Sequence, residues 1–202
     1  MLFSILIYDK PNSAALRDVH RKVHLEYLEA FDAQTLFAGP FTTDDESEDL
    51  GSLRLIDLPD RAAAEQHIAD EPYVTGGIQD RWEIARWKPS LPYTWRDCPR
   101  TEGNIQALFY GIYDPVGMAK RTELRDAHVG YLNDHPETIM ISGPLLDDAG
   151  TTSIGSVLLL DVPDLAAARK LTEEEPFYKA GLYKKTMLNR WRFGRVFDRF
   201  KV

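Results

Sequence analysis

Residue types that together bind anions and move protons stand at helical spacing near the start of the sequence. Arg17, Arg21 and His24 lie at i, i+4 and i+7, so one face of a helix would carry all three. A histidine beside two arginines can hold an anion and act as a general acid or base. The same set recurs 104 residues later as Arg121, Arg125 and His128. Each histidine has a structural alternative, a hydrogen bond inside a helix–sheet interface, and recurrence does not separate the two because structural residues also survive duplication.

Glu71 and Glu175 are the carboxylates that could serve these histidines. Each stands directly before a proline, Pro72 or Pro176, which restricts the backbone of the preceding residue. A carboxylate bonded to one ring nitrogen fixes the tautomer of a histidine and raises its pKa, provided burial does not dominate. The alternative is a solvated carboxylate at the end of a helix.

We predict that each histidine lies within about 4 Å of a carboxylate of its own copy. In a fold whose two helices cover one sheet face, the middle of the first helix lies beside the turn after the second helix. The predicted pairs are His24 with Glu71 or Asp70, and His128 with Glu175 or Glu174.

These residues belong to a tandem repeat. Between Arg17 and Trp87, 22 of the 71 positions are identical to those 104 residues further on, without a gap. Such self-similarity indicates a duplicated structural unit. The shared motifs include a Gly-Pro pair, an Asp-x-Pro-Asp turn, a run of three alanines and a closing Arg-Trp.

Each copy has the hydrophobic pattern of a β-α-β-β-α-β unit. In the first copy we predict strands at residues 2–8, 35–41, 51–57 and about 80–87, and helices at 14–31 and 60–69. Residues 71–77 are predicted to form a short turn. This order is that of the ferredoxin-like split βαβ fold, so the predicted fold class is α+β with two tandem ferredoxin-like domains.

The predicted domains are residues 1–88 and 104–202, joined by a linker at 89–103 that three prolines stiffen. A four-stranded sheet with helices on one side leaves its other face bare. We expect the two copies to bury these faces against each other, which makes an intramolecular pseudo-dimer that resembles a dimeric α/β barrel. A further homodimer stays open.

Composition and charge limit the classes of partner. The 202 residues include 24 Lys and Arg against 32 Asp and Glu, a net charge of −8, which disfavours nucleic acid and anionic membranes. The apolar stretch from Leu2 to Tyr8 is too short to span a bilayer and lacks the basic flank of a signal peptide, so a cytoplasmic location is expected. The expected partner is a small-molecule ligand.

No metal or other cofactor is expected. Cys98 is the only cysteine, which excludes a cysteine-based metal site. His20 and His24 have the i, i+4 spacing of zinc ligands, but Leu124 replaces His20 in the second copy and no partner motif follows.

Other polar residues are interpreted as surface features. His67 and His135 have no histidine counterpart in the other copy and are predicted to be surface residues. An acidic run at residues 44–49 is typical of a solvated loop. A basic C-terminal segment would block strand-edge aggregation, bind an acidic ligand or dock the acidic loop. Its residues are Lys179, Lys184, Lys185, Arg190, Arg192, Arg195, Arg199 and Lys201.

The ordered motifs resemble the YciI-like (YCII-related) family. They are Arg-x-x-His-Leu-x-Tyr-Leu, Gly-Pro, Asp-x-Pro-Asp-x-Ala-Ala-Ala, Glu-Glu-Pro-Phe-Tyr-Lys-Ala-Gly-Leu and a terminal Arg-Trp, and they cover nearly the whole chain outside the linker. The resemblance implies a ferredoxin-like fold that pairs into a dimeric α/β barrel, and a histidine–aspartate pair in a cleft. One relative is a dehydrochlorinase of a chlorinated hydroxyhydroquinone.

Carried over by position, the family's histidine is His24 and His128, and its aspartate falls on Glu71 and Glu175. Glutamate keeps the charge but adds a methylene, and Asp70 is a neighbouring substitute in the first copy. The second copy matches the family's Pro-Phe-x-x-Ala-Gly-Leu run more closely. We therefore rank its pair above that of the first copy.

Two functions are compatible with this pattern. The first is a cofactor-independent enzyme, a lyase, isomerase or hydrolytic enzyme acting on a small aromatic or acidic molecule. Its acid–base residues would be the two histidine–glutamate pairs, and its anion-binding residues would be Arg17, Arg21, Arg121 and Arg125. The second is a non-catalytic small-molecule-binding or protein-interaction module of the same fold.

Overall fold

The computed structural model describes residues 1–200 and forms two compact units. Unit 1 consists of residues 1–87 and the segment that begins at residue 192; unit 2 consists of residues 88–191. The predicted domain 104–202 includes residues 201 and 202, which lie outside the described residues. Lys201 of the basic segment is one of them.

Unit 1 contains one antiparallel sheet in the order β2-β3-β1-β4. Its strands are β1 (Leu2–Asp9), β2 (Thr35–Thr42), β3 (Asp49–Asp57) and β4 (Gln79–Trp87). Its helices are α1 (Ala14–Glu29), α2 (Arg61–Ala69) and the four-residue α3 (Pro72–Thr75).

Unit 2 repeats this arrangement in an antiparallel sheet of order β6-β7-β5-β8. Its strands are β5 (Ile105–Tyr113), β6 (Ile139–Leu146), β7 (Ser153–Val162) and β8 (Tyr183–Trp191). Its helices are α4 (Met118–Asn133), α5 (Leu165–Glu174) and α6 (Pro176–Lys179). The predicted order of strands and long helices is confirmed in both copies. Short 3-10 turns cover Asp32–Gln34, Pro115–Gly117 and Arg195–Phe200.

The Asp-x-Pro-Asp turn of each copy begins the second long helix. Asp60 and Asp164 have extended backbones, and each carboxylate accepts the backbone N–H three residues later, from Ala63 and Ala167, at 2.8 Å. These are N-caps, which satisfy a donor that the first helical turn leaves free. In the alanine run that follows, Ala64 and Ala168 are fully buried.

One face of each sheet forms a core with the helices. In unit 1, Ile56 of β3 lies in a buried cluster with Ala64 and Ile68 of α2. In unit 2, Leu158 and Leu160 of β7 are part of the equivalent buried cluster. Because successive strand residues alternate between faces, residues 52 and 54 lie on the same face as Ile56, toward the helices. This alternation brings strand side chains to the candidate sites.

Among residues 1–200, no helix is both long and apolar enough to cross a bilayer.

Candidate active site

The two glutamates are N-caps of the short helices α3 and α6. Glu71 is extended, with φ −62° and ψ 124°, and accepts the backbone N–H of Tyr73 at 3.1 Å. Glu175 accepts the N–H of Phe177 at 3.0 Å and of Tyr178 at 2.9 Å. The proline after each glutamate favours this extended backbone and starts the helix, where its missing N–H is not needed. Both carboxylates are buried as a result.

Each buried carboxylate binds a histidine of the first long helix. His24 Nδ1 lies 2.7 Å from Glu71 Oε1, and His128 Nδ1 hydrogen-bonds Glu175 Oε1. Both predicted pairs are therefore present. Because a carboxylate only accepts, Nδ1 carries the proton when the ring is neutral, and Nε2 is left as the basic nitrogen.

The alternative carboxylate partners are not used. Asp70 is exposed and accepts from Gln66 Nε2 at 2.8 Å, so the structure does not bring it to His24. Glu174 is also exposed.

An aromatic ring fixes the plane of each imidazole. His24 stacks on Tyr73 with ring centroids 3.8 Å apart and an interplanar angle of 8°. His128 stacks on Phe177 at 4.0 Å and 6°. These aromatic residues follow the proline of α3 or α6, so one short helix supplies both the carboxylate that binds each ring and the surface on which it stacks.

In unit 1 the arginines of α1 are already neutralised. Arg17 is buried, forms an ion pair with Asp9, and its Nε lies 3.2 Å from Asp49 Oδ2. Burial raises the pKa of Asp9 even though Arg17 opposes this effect. Arg21 pairs with Asp18. An incoming anion would therefore have to compete with carboxylates of the protein itself.

In unit 2 the equivalent arginine, Arg121, has different surroundings. The Arg121 guanidinium lies over the rings of Tyr113 and Phe177, 5.2 and 5.5 Å from their centroids. Within the part of the chain that the structure describes, no carboxylate pairs with it, and its buried Nε has no hydrogen-bond partner. Arg125 is exposed, with Nη1 3.6 Å from Asp126 Oδ1. Of the four predicted anion-binding arginines, Arg121 is half-buried, with a buried Nε, and no carboxylate of residues 1–200 pairs with it.

A buried network around Arg54 is confined to unit 1. Arg54 hydrogen-bonds Glu71 Oε2 through Nη2, and its Nη1 lies 3.0 Å from His67 Nε2. Since a guanidinium only donates, His67 Nε2 accepts and its proton is on Nδ1, 3.1 Å from the Tyr27 hydroxyl. The prediction that His67 is a surface residue is wrong: it is 3% exposed, because α2 turns it toward Arg54. His135 is half-buried, and its Nδ1 lies 2.8 Å from the carbonyl of Tyr131.

These contacts set the pKa values of unit 1. Burial, with the nearby Arg54 charge, lowers the pKa of His67 to about 3. Burial would raise the pKa of Glu71, but Arg54 and His24 outweigh it and lower that pKa to about 2. The expected rise in the pKa of His24 is not found, because burial lowers it by more than Glu71 raises it.

The helix-facing cavities of the two units differ in size. The cavity of unit 1 beside His24 has a volume of about 40 Å³, whereas that of unit 2 beside His128 has about 280 Å³. At the two positions where unit 1 has Arg54 and His67, unit 2 has Leu158 and Leu171. The larger cavity is lined by apolar and polar side chains, among them Tyr113, Arg121, His128, Leu132, Ser156 and Leu158.

A short segment covers each cavity along the second strand of the sheet. In unit 1, the N–H groups of Arg192 and Gly194 bond the carbonyls of Pro40 and Ala38 at 3.1 and 2.8 Å. Arg192 also binds the acidic run through Asp49 Oδ1 at 2.7 Å, so one basic residue does dock the acidic loop.

In unit 2, Lys88 and Ser90 make the equivalent bonds to Pro144 and Ser142 at 3.2 and 2.8 Å. The covering segments therefore repeat with the same offset as the rest of the domain.

Sequence reasoning missed several residues of the sites. Arg54 is a charged residue between apolar strand neighbours, a signal that could have been read as a buried ion pair. Tyr113 hydrogen-bonds Ser156 inside the unit 2 cavity. The stacking role of Tyr73 and Phe177 could have been suspected from the repeated Glu-Pro-aromatic order.

The chain belongs to the YCII-related family. The model of the YCII-related domain matches residues 1–88 and again residues 105–192, which confirms both the resemblance and the tandem duplication. None of the curated proteins matches the chain in sequence.

Solved structures of the same fold cover almost the whole chain. Chlorite dismutase from Candidatus Nitrospira defluvii, in complex with imidazole, is 10% identical, covers 98% of this chain and 94% of its own, and has a TM-score of 0.60. An anthrone oxidase-like protein is 12% identical, covers 96% and 91%, and has a TM-score of 0.56. The predicted fold class, tandem ferredoxin-like domains of the dimeric α/β-barrel type, is confirmed.

A single-domain match is 5-chloro-2-hydroxyhydroquinone dehydrochlorinase from Burkholderia phenoliruptrix, in complex with 2,5-dihydroxybenzoquinone. It is 27% identical, covers 44% of this chain and 94% of its own, and has a TM-score of 0.41.

Proposed function

We propose that unit 2 is the active site of a small-molecule enzyme in which His128 is the general acid–base and Glu175 orients it. The observation that carries this proposal is the cavity of about 280 Å³ that His128 lines. Small-molecule sites commonly have volumes of roughly 300–1,000 Å³. The unit 2 cavity is close to the lower end of that range, so its substrate is small.

The His128–Glu175 pair has the arrangement of an acid–base dyad. Glu175 accepts the Nδ1 proton and is itself held by the N–H groups of Phe177 and Tyr178. Nε2 of His128 is then free to take a proton from a bound C–H or O–H group. The imidazolium that forms is stabilised by Glu175, as in other oriented histidine bases.

Three reaction classes follow from one such base. Nε2 removes a proton from a substrate carbon, and the electron pair of the broken C–H bond moves into the substrate. In an isomerisation, the imidazolium returns the proton to another carbon. In an elimination, a leaving group departs with the electron pair of its bond and the imidazolium releases its proton to water. A hydrolytic step would use the same base to activate water. None of these steps requires a group beyond the substrate, water and the dyad.

A second proton-carrying pair lies in the same cavity. The Tyr113 hydroxyl hydrogen-bonds Ser156 Oγ, and burial raises the pKa of Tyr113 above its usual value. A tyrosine with a raised pKa stays protonated and can donate a hydrogen bond to a developing oxyanion. Leu132 and Leu158 supply apolar lining.

We assign no equivalent activity to unit 1. Its cavity of about 40 Å³ is about one seventh of the volume of the unit 2 cavity, about 280 Å³. Arg54 and Arg17 fill the space around His24 with ion pairs. The preference for the second pair over the first thus gains a physical reason.

Proton exchange in D₂O tests the acid–base role across many candidate substrates at once. A panel of small carbonyl compounds and hydroxylated aromatics is incubated with the protein, and ¹H NMR follows the loss of C–H signals and new products. We expect H128Q to slow conversion of a turned-over compound by roughly 10²–10⁴-fold. The matched variant H24Q in unit 1 should leave conversion unchanged.

Equal conversion by wild type and H128Q would contradict the proposal, as would loss of conversion in H24Q. Failure of the protein to exchange or convert any panel compound would also count against it. A compound that binds wild type and H128Q equally well but is never converted would favour the alternative, a non-catalytic binding module that uses the same cavity.

A further inference from the structure

Arg17 and Arg121 occupy equivalent positions in the duplicated domains but have different partners. Arg17 pairs with the carboxylates of Asp9 and Asp49. At the two equivalent positions 104 residues further on, unit 2 has Tyr113 and Ser153. Both negative charges are therefore missing from unit 2, whereas the arginine is retained.

We propose that the ligand of unit 2 is a small organic carboxylate, and that its carboxylate binds Arg121 as Asp9 and Asp49 bind Arg17. This inference rests on the proposed function, since it names the class of molecule that the unit 2 cavity takes. Unit 1 carries, in its own side chains, the group that unit 2 leaves to be supplied by the ligand.

The state of Arg121 supports this assignment. Its Nε is buried without a hydrogen-bond partner, and its guanidinium lies over two aromatic rings. Buried donors are nearly always satisfied, and the half-buried guanidinium has no carboxylate partner within the part of the chain that the structure describes. A planar carboxylate matches the donor geometry of arginine and would meet both needs.

The cavity of unit 2 connects Arg121 with His128. Arg121 and His128 both line it and lie on α4 at i and i+7, two turns or about 10 Å apart along the helix. A carboxylate held at Arg121 leaves the rest of the molecule to extend toward His128. Leu132 and Leu158 offer an apolar surface for that part.

Equilibrium binding of benzoate and benzamide tests the proposal, because the two probes share a shape and differ in charge at pH 7.5. Isothermal titration calorimetry should give benzoate at least about tenfold higher affinity than benzamide for wild type, since charge-assisted hydrogen bonds are the stronger ones. R121Q should remove this preference. R169Q, which changes an exposed arginine on α5, should keep it.

A second variant keeps the test valid if R121Q fails to fold. S153D restores to unit 2 the carboxylate that unit 1 has at this position, while Arg121 stays in place. We expect S153D to weaken benzoate binding by about tenfold and to leave benzamide binding unchanged. Equal affinities of the two probes for wild type, a preference that survives R121Q, or no binding of benzoate would each overturn the proposal.

The outcomes separate this inference from the proposed enzyme activity. If a neutral compound is converted in a His128-dependent reaction but no carboxylate preference exists, the ligand class is wrong and the acid–base role stands. If the carboxylate preference is present but H128Q slows no conversion, the ligand class stands and the acid–base role of His128 is wrong.

Discussion

The two units have the same scaffold and the same histidine–glutamate pair, but different side chains fill the space beside the pair. In unit 1, Arg54 and His67 form a buried hydrogen-bonded network with Glu71. In unit 2, Leu158 and Leu171 stand at these positions and an open cavity remains. The same pair can thus be part of a packed interior or line a cavity, and the side chains that fill the space beside it differ between the two cases.

The largest effect should come from breaking the network of unit 1. R54L leaves Glu71 without its guanidinium partner and His67 without its donor, so we expect unit 1 to lose about 3–5 kcal/mol of its free energy of unfolding. Urea denaturation measures the change. The double variant R54L/H67L reproduces the residues of unit 2 and should recover part of the loss. A single variant within about 1 kcal/mol of wild type, the value of an exposed pair, would mean that the network contributes little.

The second test concerns the glutamate that orients His128. Glutamine in E175Q offers one oxygen where the carboxylate offers two, and it cannot stabilise an imidazolium by charge. We expect conversion of a unit 2 substrate to slow roughly hundredfold, as measured by ¹H NMR. The matched variant E71Q should lower stability without changing conversion. Similar losses of conversion in both variants would show that the two units are functionally alike.

The pH dependence of stability should also separate the units. His67 has a pKa of about 3 in the folded unit and about 6.5 when unfolded, so the unfolded state binds more protons between these values. The contribution of His67 to the free energy of unfolding is therefore fully present above about pH 6.5 and is lost as the pH falls toward 3. The lowered pKa of His24 adds to the effect in the same direction.

Urea denaturation at pH 8 and pH 5 checks this expectation. The His67 contribution alone should reduce the stability of unit 1 by about 2 kcal/mol at the lower pH. R54L/H67L lacks this group and should show a smaller difference. An acid sensitivity that the double variant fully retains would assign the effect to other groups.

The smallest effects should come from features that both units share. D60A and D164A each remove a side chain that accepts a hydrogen bond at the start of α2 or α5. We expect each to cost about 1 kcal/mol in thermal or urea unfolding. Clearly unequal losses would show that the equivalent helices contribute differently to the two units.

Much of the fold could be predicted because the repeat shows each element twice. Helical and strand periodicity located the long elements, and the Asp-x-Pro-Asp turn marked the start of α2 and α5. The helices α3 and α6 were predicted to be turns, since four residues give no periodicity. Only the structure shows that the side chains of Glu71 and Glu175 cap them.

The site was predictable in its pairs but not in its environment. His24 and Glu71 follow from spacing and fold order, whereas the pKa of His24 depends on how deeply the chain buries it. The prediction for His67 was wrong because it relied on the absence of a histidine at the equivalent position of unit 2. His67 is buried because it binds Arg54, and unit 2 has no arginine at the position equivalent to Arg54 either. A difference between two copies thus marked the residues that matter most in unit 1.

Glu71 has two roles, and this limits the substitutions that a duplicated domain can accept at this position. The same carboxylate begins α3 and binds His24, so a substitution of Glu71 that removes the pair also removes the N-cap of α3. Selection for folding alone is then enough to preserve Glu71, whether or not the pair has a chemical role. The presence of this carboxylate in a duplicated domain is consequently no evidence of activity. The residues that open or fill the cavity of such a domain are more informative.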